Sequence, residues 1–146
     1  MTSPRQLAYG KIANAYDTFL TVSGFKRGVE SFVNRVDFEL PPKPRLLDAG
    51  CGTGLLTRYL ARRFPASEIC AFDIDAGMLA EMERMIAGER FEKNVIIARG
   101  DLRDPGRLEV MKTGQPLFIP RDYFDAVCVS GALEHVPLAE SVERLA

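Results

Sequence analysis

Leu46-Leu47-Asp48-Ala49-Gly50-Cys51-Gly52-Thr53-Gly54 is the stretch that decides the fold of this chain. A short apolar strand ends in a carboxylate, and three glycines at alternate positions then turn the chain. Beyond the turn, Leu55, Leu56, Tyr59, Leu60 and Phe64 fall on one face of a helix, with Pro65 just past its end. Glycine has no Cβ and tolerates positive φ, so a ligand can lie almost on such a backbone. The spacing is G-x-G-x-G. A dinucleotide fingerprint needs glycine at position 55, which is Leu55, and no G-x-x-x-x-G-K-S/T is present, so a Walker-type loop is excluded. A carboxylate at Asp48 repels a pyrophosphate but suits a ligand carrying an ammonium or sulfonium.

The same alternation continues downstream. A second strand over residues 69–72 ends at Asp73, and Asp75 is placed to cap the next helix. That helix buries Met78, Leu79, Met82, Met85 and Ile86, and Gly88 is placed to stop it. A third strand over 95–98 ends near Gly100-Asp101, and a fourth over 126–129 ends at Ser130-Gly131. Between them, residues 103–123 are expected to hold a short helix near 108–111 and then a loop through Gly114, Pro116 and Pro120. The chain stops inside an apparent helix over 139–146. Upstream, Ile12, Ala15, Tyr16, Phe19 and Leu20, then Val29, Phe32, Val33 and Val36, read as a helical cap interrupted at Gly24. Residues 1–40 form this cap and residues 41–146 the main domain, divided by Pro41-Pro42-Lys43-Pro44. Strands that are apolar throughout and alternate with helices predict an α/β, Rossmann-like doubly wound parallel sheet, with right-handed crossovers and a local strand order 3-2-1-4.

The chain has 146 residues, a formal net charge of −1 and no long basic run, so neither nucleic acid nor an anionic membrane is indicated. No apolar stretch approaches membrane-spanning length, and the first five residues carry no signal core. Three cysteines without a C-x-x-C are expected to be reduced and buried, which points to a cytoplasmic protein. With one histidine, no metal site is expected.

Strand, acidic residue and G-x-G-x-G together resemble motif I of the class I S-adenosylmethionine-dependent methyltransferases, of the type 11 and type 25 kind. The resemblance covers residues 11–146. It implies S-adenosyl-L-methionine as cofactor, held at Asp48, Gly50, Cys51, Gly52 and Gly54. Asp73, about twenty residues past the glycine loop, stands where a carboxylate accepts the ribose hydroxyls; its alternative role is a helix cap or solvated turn. Ile74 then packs on the adenine face, or is plain core. Ala98-Arg99-Gly100-Asp101-Leu102 looks like the family's third-strand motif. This implies that Asp101 accepts the adenine amine and that the Leu102 N–H meets a ring nitrogen, unless Asp101 is an ordinary turn residue. Ser130 to Pro137, with Leu133-Glu134-His135-Val136, resembles the "LEHV" run of small-molecule methyltransferases, where the fourth strand faces both methyl donor and substrate; this implies that backbone and Leu133 line the pocket, with Ser130 on the donor side. His135 is either a general base or a histidine that fixes a turn, and one histidine without a partner is not a catalytic constellation. Lys11 to Asp17 resembles the A-x-x-Y-D helix of ubiquinone/menaquinone-biosynthesis methyltransferases, where Tyr16 would close the site or simply pack.

The resemblance implies methyl transfer to a small-molecule acceptor. The family's sheet usually has seven strands and four are legible here, so the sequence reads as C-terminally truncated. The fourth strand is expected to be an exposed edge prone to self-association. Two other readings stay open: a nicotinamide-dependent oxidoreductase, and a non-catalytic adenosyl-ligand-binding fragment.

Overall fold

The four apolar runs form strands, and two further strands join them. The computed structural model describes residues 24–35, 37 and 39–129. In chain order these are α1 (Phe25–Arg35), β1 (Arg45–Ala49), α2 (Leu55–Arg63), β2 (Glu68–Asp73), α3 (Ala76–Ile86), a 3-10 turn (Glu92–Asn94), β3 (Val95–Asp101), β4 (Asp104–Val110), β5 (Pro116–Leu117) and β6 (Ala126–Val129). The sheet runs β5-β4-β3-β2-β1-β6. β1 is parallel to both β2 and β6, and β2 is parallel to β3. The order β3-β2-β1-β6 is the expected 3-2-1-4. The chain therefore reverses its direction of travel across the sheet at β1, which makes the carboxyl ends of β1 and β6 the switch point where such sheets bind ligands.

Period-two alternation divides the core. Leu46, Ile69, Ala71 and Ile97 face one side and pack with Val33 of α1, Leu56 and Leu60 of α2, and Leu79, Met82 and Ile86 of α3. Leu47, Ala49, Cys70, Phe72 and Ala98 face the other side, with Leu102 and Leu108. All three described helices thus lie on one face. Asp75 caps α3, its side chain accepting from the Met78 N–H at 3.0 Å, and Gly88 turns the chain beyond it at φ +79°. Three expected core positions differ. Met85 is half-buried, beside the α3 face that Met78, Leu79, Met82 and Ile86 bury. Phe32 is 54% exposed because α1 presents Val29 and Val33 inward instead. Cys128 is half-buried, since among the described residues its strand β6 is the sheet's outermost on that side.

Residues 104–117 overturn the expected helix and loop. β4 runs antiparallel to β3, and β5 antiparallel to β4, so the sheet is mixed at that margin. Pro105 and Gly106 disfavour a helix, and Leu108 and Val110 alternate with Arg107 and Glu109, which is strand periodicity. Asp101 and Asp104 are paired across a two-residue turn, after a register shift between Arg99 and Asp101. Gly100 permits this approach: a Cβ there would stand 2.2 Å from Leu108 Cδ2 and 3.3 Å from the Arg107 carbonyl.

Gly100→Ala should therefore destabilise the chain by about 1–3 kcal/mol, the usual range for overpacking. Most of that loss should return in Gly100→Ala/Leu108→Ala relative to Leu108→Ala alone. Denaturant melts of the four proteins measure this coupling; additive losses would show that the two strands do not meet there.

Candidate functional site

The glycine turn between β1 and α2 is built from backbone hydrogen bonds. The amides of Gly50 and Cys51 both donate to the Phe72 carbonyl, at 2.9 and 3.0 Å, and the Gly54 N–H donates to the Cys51 carbonyl at 2.9 Å. Gly50, Gly52 and Gly54 hold φ of +72°, +55° and +81°, values that cost an ordinary L-residue about 1–2 kcal/mol each. The glycines also differ in what they face. A Cβ on Gly54 would lie 2.6 Å from Met82 Cγ, so that glycine lets α3 close under the loop. A Cβ on Gly52 would meet nothing within 4 Å among the described residues. Among those residues Gly52 thus presents bare backbone to open space, the property a close-lying ligand needs.

Asp48 and Asp73 lie behind and beside this loop. Asp48 is fully buried, and its Oδ2 accepts from the Thr57 hydroxyl at 2.5 Å. Gly54 caps α2 without a side chain, so Asp48 supplies from β1 the carboxylate that a helix N-terminus favours. Its other oxygen, Oδ1, is buried without a hydrogen-bond partner among the described residues, as is Thr53 Oγ1. Burial pushes the Asp48 carboxyl up from 3.8 to about 6; the Thr57 hydrogen bond opposes the rise and the Asp73 charge adds to it. Asp48 is therefore a buried carboxylate behind the loop, tied to the start of α2.

Asp73 closes the loop. Its Oδ2 accepts from the Gly52 N–H at 2.9 Å and its Oδ1 from the Asp75 N–H at 2.9 Å. Burial raises its pKa, and these amide hydrogen bonds pull it back. One carboxylate thus joins the two turns that follow β1 and β2, while lone pairs remain for further donors. Ile74 is half-buried at the next position, with its carbonyl 3.3 Å from Arg99 Nε. Asp101 ends β3, paired with Arg103, and Leu102 is buried in the adjoining turn. Asp48, Asp73 and Asp101 all stand at the carboxyl ends of neighbouring parallel strands. Burial pushes the Cys51 thiol well above its ordinary value, and its Sγ rests 3.8 Å from Met82 Sδ, so the thiol is part of the core. Tyr16, Ser130 and His135 lie outside the described residues.

Three contributors escape motif reading. Thr57 fixes Asp48, and its only sequence signal is a hydroxyl among the apolar residues of α2's buried face. Met82 supports Gly54 and Cys51 but reads as generic core. Arg103 engages Asp101; an acidic and a basic residue two apart across a hairpin turn carry that signal only once the hairpin is known.

Ionised Asp48 is costly to bury, and the pH dependence follows. The folded chain holds a proton on Asp48 up to about pH 6, whereas the unfolded chain loses it near 3.8, so this group's contribution to stability falls as pH rises through that window. Asp48→Asn removes the penalty. Its stability relative to the parent should grow by about 2 kcal/mol between ~pH 4.5 and ~pH 7.5. Thermal unfolding of both proteins across that range is the check; a pH-independent difference would show that Asp48 stays ionised throughout.

Comparison with known proteins accords with this geometry. The family described as "Methyltransferase domain" matches residues 46–146. A trans-aconitate 2-methyltransferase of Mycobacterium tuberculosis is 34% identical over 122 residues, 83% of this chain and 38% of the relative. The chain spans 20–38% of the length of the curated relatives it matches. Among solved structures, a mitomycin 7-O-methyltransferase superposes with a TM-score of 0.63 at 17% identity, covering 94% of this chain and 37% of the other. Coclaurine N-methyltransferase bound to N-methylheliamine and S-adenosylhomocysteine gives 0.59 at 18% identity, covering 82% and 31%. The glycine turn over Asp73 thus opens a methyltransferase domain, and this chain belongs to that family.

Proposed function

We propose that the chain forms the S-adenosyl-L-methionine site of an enzyme that methylates a small-molecule acceptor. The observation that carries the reading is the Gly52–Asp73 junction. An open backbone at Gly52 lies hydrogen-bonded to a carboxylate that keeps lone pairs for a diol. The donor set fits the group: the loop amides and the Asp48 field suit the cationic amino-acid end, Asp73 the ribose, Ile74 the adenine face, Asp101 the exocyclic amine and the Leu102 N–H a ring nitrogen. A relative named for trans-aconitate, and a structural neighbour bound to S-adenosylhomocysteine and N-methylheliamine, support the same donor and small acceptors.

When bound, the donor supplies a methyl group already activated as a sulfonium. The protein's own work is to align it and keep the site dry, where pre-paid orientation is worth the most. A base is needed only if the acceptor must lose a proton; His135 is the residue to test for that role, and Tyr16 and Ser130 are the residues to test as donor-pocket lining. A cytoplasmic setting fits three unpaired cysteines, and no helix among the described residues is long and apolar enough to cross a membrane.

Calorimetric titration with S-adenosylhomocysteine, with NADH alongside, tests the reading. The parent should bind the former and not the latter. Gly52→Val should lose binding by tenfold or more, because the side chain enters the open space, at a folding cost of about 1–2 kcal/mol for the left-handed backbone. Asp73→Ala should lose about 1–3 kcal/mol of binding from unpaired hydroxyls. Undiminished affinity in both variants would remove the site from this loop.

A further inference from the structure

The loop between β1 and α2 offers the rest of the fold little to grip. Between Gly50 and Gly54 only Cys51 and Thr53 carry side chains. The three glycines sit at positive φ, and glycine loses more freedom on ordering than any other residue. Thr53 is buried, with its hydroxyl unpartnered among the described residues. Cys51 is the other handle. Its Sγ lies 3.8 Å from Met82 Sδ and 3.7 Å from the Gly52 carbonyl oxygen.

Met82 meets the loop a second time. Among the described residues, the three heavy atoms nearest to a Cβ built on Gly54 all belong to Met82: Cγ at 2.6 Å, Sδ at 2.8 Å and Cε at 2.9 Å. Met82 thus fills the space against the bare Cα of Gly54 while its sulfur rests beside Cys51. It is fully buried, about two helical turns beyond the Asp75 cap. α3 is therefore tied to the loop at two levels. At its start, Asp73 accepts from both the Gly52 and the Asp75 amides. Further along, Met82 supplies volume. The polar tie fixes direction, and the apolar one fixes how closely the loop backbone approaches the helix. An unbranched thioether is long and adaptable enough to reach under both residues. Interiors are packed too densely to absorb a shorter side chain without a void or a backbone shift.

We propose that Met82 is a positioning residue for the donor site, setting from beneath the level of the Cys51–Gly54 backbone on which the donor lies. The inference rests on the donor reading above. A loop held in its binding shape before the ligand arrives spares the ordering cost of association. Loss of Met82 therefore appears in donor affinity as well as in stability.

Calorimetric titration with S-adenosylhomocysteine, at a temperature where thermal unfolding shows each variant folded, separates the two effects. Met82→Ala should bind about five- to thirtyfold more weakly than the parent, the range for residues that act on a site without touching its ligand. Met82→Leu, close in volume, should recover most of that loss. Should the alanine variant not fold, Met82→Val carries the same comparison. Ile86→Ala is the control. It lies on the same helix and in the same core cluster, about 6 Å further along the axis. It should lower the unfolding midpoint yet change affinity by less than about twofold. Gly54 supplies a second arm. Gly54→Ala should weaken binding by crowding Met82, and Met82→Ala added to it should restore part of the affinity, although it costs affinity in the parent. If the parent binds but Met82→Ala matches Ile86→Ala in affinity, or the losses at positions 54 and 82 simply add, Met82 is plain core and the donor site stands. If the parent does not bind S-adenosylhomocysteine, the donor reading falls and this inference with it.

Discussion

The two hydrogen bonds accepted by Asp73 hold the working end of this molecule together. One comes from Gly52 in the turn after β1, the other from Asp75 in the turn after β2. A parallel sheet aligns its strand ends but leaves each β–α turn independent. A carboxylate at the end of one strand, reaching an amide in the turn of the next, removes that independence. The position of the Gly52 backbone is then set by β2 as well as by β1, and the start of α3 is set by the same side chain. Burial makes the carboxylate costly and the amides offset that cost, so the junction is most stable when both bonds are present.

Asp48 shows a second side of the same constraint. α2 begins at a glycine, which the turn requires, and a glycine brings no capping side chain. Asp48 reaches the helix start from the adjoining strand through Thr57. The arrangement places a fully buried carboxylate, with one oxygen unpartnered among the described residues, directly under the loop. A neutral isostere would be easier to bury. A retained charge makes physical sense where a cationic group is to be drawn to the other side of the backbone, which is the kind of local compromise expected at a functional site.

What the sequence made legible, and what it hid, divides along a physical line. The β1–α2–β2–α3–β3 run was readable because periodicity and turn chemistry agree there: Leu46 and Leu47 before three glycines, Asp75 before an apolar helix face, Gly88 after it. The four-strand order followed from the same alternation. Residues 104–117 were misread because the segment is polar and its few apolar positions, Leu108, Val110 and Leu117, are shared out over two short strands. Neither strand shows its period for long enough, and pairing with β3, a tertiary contact, decides the outcome. In the site, the acidic strand ends were visible as positions, but their partners were not. That Thr57 meets Asp48, and that Arg103 pairs with Asp101, depends on side chains brought together by the fold.

The misread hairpin is also what shapes the far end of the site. Without it, β3 would be the margin of the sheet, with a bare row of backbone donors and acceptors beside the partly exposed Ile96. β4 pairs that row, and the new margin, β5, is only two residues long and begins at Pro116, which has no N–H to offer. Short, proline-bearing edges resist adding further strands. The turn that starts the hairpin falls directly after Asp101, so edge protection and site construction share one loop. The register shift between Arg99 and Asp101 places the acid beside a two-residue turn, and the turn places Arg103 within reach of it. A helix after β3 could cover the sheet's face, but it would leave β3's edge unpaired and would not return Arg103 to Asp101 by this route. The antiparallel return thus pairs the edge of β3 and sets the charge balance at Asp101 in a single piece of backbone.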